Sequence, residues 1–399
     1  MPKVPSRQMK IGILTQPLRY NYGGILQNMA LQTVLRKEGH SEVCTLDYSV
    51  PSKGTFALLK WEIKKRLGHL IDRKSFPVVT HIPTEAEKDM MFAGIDAFMV
   101  RHIVRTPRFT SEEDFRRWAQ EEDPDALIVG SDQCWRLRYN PFIDSMFLSF
   151  TDSPEVRRIA YAASFGTAAW EYDDALTARC SRLLSRFDGV SVRETSAVDL
   201  CRSHFGVRAD LVLDPTMLLG PDEYASIVAS EKVPASPGNL FVHLLDPDPE
   251  KSRFVREYAA SRNLTGFSIL PPHQVENLTR KAIREHPQDC IYPSPAVFLR
   301  AFMDSEEVIV DSFHACVFAI IFHKPFHVLT NSSRGNARFD SLLELFSLQD
   351  RLVTPESPGS AGQAVPICWE HVDQVLSSMR ESSIGFLRAS LNPENKSVI

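Results

Sequence analysis

The segment that most constrains the fold is the opening run over residues 10–48. KIGILTQ (10–16) is an uninterrupted apolar stretch, the pattern of a strand covered on both faces. The loop after it carries Asn21, Tyr22, Gly23 and Gly24. In the following ILQNMALQTVLRKEG, Ile25, Met29 and Leu31 through Leu35 recur near helical spacing, and Gly39 ends the run. VCTLDY (43–48) reads as a second strand. A strand, a helix and a strand in that order begin a parallel sheet, because a parallel neighbour needs a crossover.

The alternation continues. Strands are expected at 126–130, 158–164, 189–192 and 211–214, with helices over 174–187 and 194–205. The stretch EKVPASPG (231–238) has the composition of a linker. A second alternation follows, with strands at 239–245, 266–270, 307–311 and 326–329, and helices over 250–262, about 295–303, 312–322 and 338–347. A helical tail begins at 369. At 399 residues the chain exceeds one ordinary core, since a domain averages roughly 150 residues. The expected division is 1–230, 231–368, and a tail 369–399 packing back on the first half. The fold class is α/β, with two doubly wound halves facing each other across a cleft. In such sheets ligands bind at the carboxyl ends of the strands.

Composition narrows the function. The chain is 43% hydrophobic and 24% charged, with a net charge of −5. That balance suits a globular protein and excludes a general nucleic-acid binder, which needs a basic face. Seven cysteines lie scattered without a Cys-x-x-Cys pair, the pattern of reduced thiols rather than disulfides or a zinc site. The start, MPKVPSRQMK, has no apolar signal core, and no apolar run approaches membrane-spanning length. The expected location is cytoplasmic.

Four places put reactive side chains just after a predicted strand. Asn21 to Gly24 follow the first. Ser131, Asp132 and Gln133 follow ALIVG; Arg193 and Glu194 follow GVSV; Ser312, Phe313 and His314 follow EVIVD. Each has a plainer reading. Ser312 is a good N-cap, Arg193 with Glu194 reads as a local ion pair, Asp132 as a turn residue, and Gly23 and Gly24 as turn formers that also suit phosphate-binding amides. His314 is harder to dismiss, because a helix N-terminus disfavours a cation unless an anion is bound nearby. His323 and His327 have metal-like spacing, but Pro325 between them prevents one helical face. Asp246-Pro-Asp248 lies in a Pro-rich loop and reads as solvated, so no metal is expected. Residues 57–71 form a basic amphipathic stretch, with Leu58, Trp61, Leu67 and Leu70 apolar and Lys60, Lys64, Lys65 and Arg66 cationic. It reads either as a helix over the cleft or as a peripheral contact with an anionic membrane face.

With these residues in view, the chain resembles the polysaccharide pyruvyl transferase family. The likeness runs through KIGILTQPLRYNYGGILQNMALQTVLRKEGH, DALIVGSDQCWR, FLSFTDSPEVRRIAYAASFG, GVSVRETSAVDLC, ADLVLDPTMLL, VIVDSFHACVFAIIFHKPFHVL and RFDSLLELFSLQDRL, in that order. The resemblance implies two Rossmann-like domains in a glycosyltransferase-B-like arrangement, the first on the acceptor side and the second on the donor side. It implies a transferase that moves the pyruvyl group of phosphoenolpyruvate onto a sugar or lipid-linked oligosaccharide, forming a ketal, with no further cofactor. The family's histidine maps onto His314, its arginine onto Arg193 and its aspartate onto Asp132. Ala315 and Cys316 replace the usual Gly-Thr, and His243 stands where tyrosine is frequent. The reaction needs an acid, a base and cationic holders for phosphate and carboxylate, and an arginine fork suits such oxyanions. The expected roles are His314 as acid, Arg193 as donor anchor and Asp132 as acceptor-side base. Acid and base remain exchangeable between His314 and Asp132. Asn21, Gly23, Gly24, Gln133, Ser312 and Phe313 are the expected substrate contacts, with Arg334 and Arg338 as further anion holders. Two other readings stand beside this one: a nucleotide-sugar-dependent glycosyltransferase of the same architecture, and a non-catalytic sugar-binding member of a polysaccharide assembly complex.

Overall fold

The computed structural model describes residues 8–49, 81–329, 337–355 and 365–392. Arg334 and the basic stretch 57–71 lie outside the described residues.

Six parallel strands form the first sheet: β1 (Lys10–Leu14), β2 (Glu42–Thr45), β3 (Ala126–Val129), β4 (Arg157–Ala163), β5 (Gly189–Val192) and β6 (Asp210–Leu211). They lie in the order β2-β1-β3-β4-β5-β6. The second sheet contains β7 (Leu240–His243), β8 (Gly266–Phe267), β9 (Glu307–Val310), β10 (Phe326–Leu329) and β11 (Leu352–Val353), in the order β11-β10-β9-β7-β8. Every residue of β3, β4, β9 and β10 is buried, which is why these segments read as continuous apolar runs rather than alternating ones. In the first sheet the chain steps from β1 to β2 on one side and then to β3 on the other. In the second it steps from β7 to β8 and then back to β9. Each sheet therefore has a switch point, where neighbouring strands send their connections to opposite faces and leave a crevice at their carboxyl ends.

Helix α1 (Tyr22–Lys37) makes the first crossover, and α2 (Glu85–His102) and α3 (Glu112–Glu122) lie between β2 and β3. Both of the latter start with a capping box, Thr84 with Glu87 and Ser111 with Asp114. Helices α4 (Asp174–Leu184), α5 (Thr195–Leu200) and α6 (Pro221–Ser230) complete the first half. The second half carries α7 (Pro249–Arg262), α8 (Arg280–Glu285), α9 (Pro295–Asp304), α10 (Phe313–Ile321) and α11 (Ala337–Leu345). Residues 231–238, between α6 and β7, form no regular element.

Several expected elements are shorter or broken; the strands expected over 43–48 and 239–245 already end at Thr45 and His243. The strand expected over 211–214 ends at Leu211, because Pro215 opens a 3-10 turn capped by Asp214. The strand expected over 266–270 is two residues long. The helix expected over 194–205 loosens after Leu200 into a π turn, Cys201–Phe205, closed by Gly206 at φ 68°.

The halves share one apolar core. Ile11 and Ile25 from the first belong to the same buried cluster as Phe298, Val310 and Phe318 from the second. Tyr22 crosses the junction, stacking on Phe298 at 5.2 Å and donating to the Pro293 carbonyl at 2.9 Å. Helix α12 (Trp369–Leu391) begins beside the second half, where Trp369 stacks on His323 and Asp373 faces His323 at 2.8 Å. It ends against the first sheet. There Ser383 accepts from the Leu213 amide at 3.0 Å and Arg157 donates to the Ser390 carbonyl at 2.6 Å. Among the described residues, no helix is long and apolar enough to cross a membrane.

Gly130 shows how tightly the switch point is built. Its φ is +122°, and a Cβ there would sit 2.0 Å from the Tyr161 carbonyl oxygen. Gly130→Ala is expected to destabilise the protein by about 3 kcal/mol. Gly206→Ala, also at positive φ but with nothing within 4 Å, should cost about 1 kcal/mol. Thermal unfolding of the two variants checks the order.

Candidate active site

The site forms where the switch point of the first sheet meets that of the second. After β3 the chain turns over Gly130 into Ser131, whose backbone is pinned on both sides. The Ser131 amide donates to Gln27 Oε1 at 3.1 Å, and its carbonyl accepts from Thr15 Oγ1 at 2.8 Å. Asp132 follows at φ 71°, in the left-handed region that an aspartate tolerates better than most residues.

Arg193, at the end of β5, lies between two carboxylates. Its Nη2 donates to Asp132 Oδ1 at 2.9 Å and its Nη1 to Asp214 Oδ2 at 2.7 Å. Phe313 covers the guanidinium, with its ring centroid 4.5 Å from Cζ. Both carboxylates have further donors. Asn21 Nδ2 donates to Asp132 Oδ2 at 3.0 Å, while the Thr216 hydroxyl and amide reach Asp214 Oδ1 at 2.7 and 3.1 Å. Burial alone would push the Asp132 carboxyl up, but Arg193 and His314 outweigh it and hold it below the usual range. The same contest at Asp214 is decided by His314, Arg193 and the Thr216 hydroxyl, which hold its carboxyl far below that range. Burial works against the charged guanidinium of Arg193, yet Asp132 and Asp214 raise its proton affinity above that of a free arginine.

From the other half, α10 brings His314. Its Nε2 lies 3.5 Å from Asp214 Oδ2 and 3.5 Å from Arg193 Nη1. Its other ring nitrogen faces the first turn of α1. A Cβ on Gly23 would sit 2.0 Å from His314 Nδ1, so the two helix starts meet only because residue 23 has no side chain. The position of α10 is fixed at its root. Asp311 pairs with buried Lys251 at 2.8 Å and accepts from the amides of Leu245 and Asp246, which ties the end of β9 to the loop after β7. Asp248 caps α7 through the Lys251 amide at 2.8 Å, so the Asp246-Pro-Asp248 stretch serves the backbone.

Arg338, on α11, is the unmatched charge. It is 8% exposed, lies 5.7 Å from the Phe313 ring centroid, and makes no hydrogen bond or ion pair among the described residues. Burial, with help from the nearby charge of Arg193, pushes its proton affinity down to about 10, so the guanidinium stays charged at neutral pH.

Asp132, Arg193 and His314 thus converge, with Asn21, Gly23, Phe313 and Arg338 around them. Gly24 lies against Asn21. Two residues with expected roles are already engaged in this enclosed arrangement. Arg193 was expected to hold a donor anion, but both its Nη atoms are committed to carboxylates and its side chain is 1% exposed. Asp132 is the expected acceptor-side base; here both its oxygens carry donors and its proton affinity is lowered. The Arg193–Glu194 pair is loose, at 3.8 Å; Glu194 Oε1 instead accepts from Ser164 Oγ and the amides of Phe165 and Gly166. Gln133 turns away to Arg136, 3.0 Å from its Nη1. Ser312 occupies the N-cap position of α10 without a side-chain cap bond. His327 faces Tyr258, and His243 is buried beside Phe298 with its proton affinity lowered to about 4 by burial. The cluster is also more enclosed than a cleft implies, with Asp132 3% and His314 5% exposed.

Asp214 is the site residue that sequence reasoning missed. Its signal was present: a carboxylate closing an apolar run, followed by Pro215. Because Asp132 and Asp214 bind protons less readily folded than unfolded, their contribution to stability is complete at neutral pH. It is lost as pH falls from about 5 through their folded values. Asp214→Asn is expected to lower stability at pH 7 by about 3 kcal/mol or more and to make the acid loss shallower. Urea unfolding between pH 7 and pH 3 reads both effects.

Comparison with known proteins agrees with this architecture. UDP-N-acetylglucosamine 2-epimerase from Rickettsia bellii superposes with a TM-score of 0.50 at 9% identity, covering 98% of this chain and 99% of that one. The Neisseria meningitidis UDP-GlcNAc 2-epimerase bound to UDP-GlcNAc gives 0.49 at 12% identity, over 96% and 99%. At 9% identity the Rickettsia bellii likeness speaks to fold alone; with the two parallel sheets and their flanking helices, the fold is two Rossmann-like domains in the GT-B arrangement. No curated protein matches the sequence. The family model for polysaccharide pyruvyl transferase matches residues 21–333, a span that contains Asn21, Asp132, Arg193, Asp214 and His314. The chain belongs to the polysaccharide pyruvyl transferase family and is a transferase.

Proposed function

We propose that this protein transfers the pyruvyl group of phosphoenolpyruvate to two hydroxyls of a polysaccharide or precursor sugar, forming a cyclic ketal and releasing phosphate. The observation that carries this reading is His314, 3.5 Å from Asp214 and Arg193, beside a region where Arg338 is buried, charged and unmatched.

The chemistry divides among these residues. Arg338 holds the donor's phosphate or carboxylate, because an unmatched buried guanidinium gains most from an incoming anion. His314 is the acid, since Asp132 and Asp214 stay ionised and have no proton to give. Its proton goes to the methylene carbon of phosphoenolpyruvate, and cationic character develops at the neighbouring carbon. A sugar hydroxyl attacks there and its proton returns to the imidazole. The carbon–oxygen bond to phosphate then breaks, the second hydroxyl closes the ring, and the departing phosphate takes that second proton. No net proton is released. Arg193, Asp132 and Asp214 hold His314 in place. The donor reaches this site only when the enclosed cluster opens, which the GT-B arrangement permits between its halves. A lipid-linked acceptor would bring in residues 57–71 as the contact with an anionic membrane face.

The test is phosphate release from phosphoenolpyruvate with a panel of sugars, read together with the mass gain of a pyruvate ketal. His314→Ala should slow release by about 10²- to 10⁴-fold. Arg338→Ala should raise KM for phosphoenolpyruvate about tenfold or more. Near wild-type rates in both variants, or a glycosyl product from a nucleotide sugar in place of a ketal, would overturn the reading.

A further inference from the structure

The loop after β3 continues past Asp132 into a turn that the proposed chemistry does not use. Residues Leu137–Tyr139 form one turn of 3-10 helix. All three side chains are exposed, and Tyr139 is the one aromatic among the exposed large apolar side chains described. The turn is held stiffly from beneath. Asn140 Nδ2 lies within 3.0 Å of the carbonyls of Gln133, Cys134 and Arg136, and Asn140 Oδ1 accepts from Gln16 Nε2 at 2.8 Å. Trp135 is buried and donates to the Met146 carbonyl at 3.0 Å. Such bracing displays an exposed ring in a fixed position, and the packing of the fold does not require that ring to be exposed.

Two guanidiniums flank it. Arg136 Cζ lies 5.2 Å from the Tyr139 ring centroid and Arg138 Cζ 5.9 Å away. Arg136 is 7% exposed and its Nε has no partner. Its Nη atoms reach Gln133 Oε1 at 3.0 Å and Glu171 at 3.7 Å. Arg138 is exposed and makes no hydrogen bond or ion pair among the described residues. The turn adjoins the site through Gly166, whose carbonyl lies 3.5 Å from Arg136 Nη1 and whose amide donates to Glu194. An aromatic ring offers a packing surface for the C–H face of a sugar ring, and a guanidinium without a carboxylate partner beside it, that of Arg138, favours an anionic group, with the loosely paired Arg136 next to it.

We propose that Tyr139, with Arg136 and Arg138, forms the acceptor subsite, and that the acceptor is an acidic sugar, carrying a carboxylate or a phosphate, rather than a neutral one. This rests on the pyruvyl-transfer reading for the word acceptor, while the binding itself does not depend on it. Saturation-transfer NMR on the full chain, with glucose, glucuronate and glucose 1-phosphate as probes, tests it. Calorimetry with phosphoenolpyruvate runs alongside. At least one anionic probe should bind about tenfold or more tighter than glucose. Which one does so tells a uronate from a glycosyl phosphate. Tyr139→Ala should weaken that probe about tenfold and Tyr139→Phe should retain it, with phosphoenolpyruvate binding unchanged in both. Equal binding of glucose, no binding of any probe, or an unaffected Tyr139→Ala overturns the subsite. If the probes behave as expected while phosphoenolpyruvate does not bind, the subsite stands and the donor reading falls.

Discussion

A guanidinium buried between two carboxylates organises the centre of this molecule. Taking an ion out of water costs several kcal/mol even after relaxation, so Arg193, Asp132 and Asp214 are tolerable only together. Each carboxylate is therefore completed by further donors, Asn21 for Asp132 and Thr216 for Asp214. That requirement fixes the ends of three strands, β3, β5 and β6, relative to one another and draws the start of α1 toward them. Gly130 follows from the same demand. The backbone must pass close over the Tyr161 carbonyl to bring Asp132 to the arginine, and a side chain there would collide.

The second half meets this frame by shape as much as by charge. Its switch point lies between β7 and β9, and Asp311 with Lys251 stiffens the place where α10 begins. The helix then delivers Phe313 onto the guanidinium face and His314 onto its edge. The fit depends on Gly23 at the start of α1, where a Cβ would occupy the imidazole's space. Two helix starts are thus brought together by the absence of one side chain.

Much of this was legible beforehand. Strands buried on both faces announce themselves as apolar runs, and β10 matches its expected bounds, Phe326–Leu329. Residues just past three of those runs, Asp132, Arg193 and His314, come together in the fold. What they do there was less legible, because a role depends on partners distant in the chain. Arg193 meets charges 61 residues before it and 21 after it, and no local pattern says that both are carboxylates. Asp214 was absorbed into a strand that stops at Leu211, since the apolar run LVLD (211–214) continues to the carboxylate while Pro215 ends the strand three residues before it. Helices α2 and α3 carried capping boxes that periodicity alone passes over.

The distances within the cluster say how it would respond to movement between the halves. Arg193 is held to its carboxylates at 2.7 and 2.9 Å, and all three residues come from the first half. His314, from the second half, stands 3.5 Å from both Asp214 and Arg193, at the limit of a hydrogen bond. Phe313 and Arg338 belong to the second half as well. Separation of the halves would therefore break the long contacts of His314 and uncover the guanidinium face of Arg193, while the short pairs of the first half stayed intact. Closure would restore the imidazole to its carboxylate and bring Arg338 back into a field in which Arg193 repels it while Asp132 and Glu194 attract it.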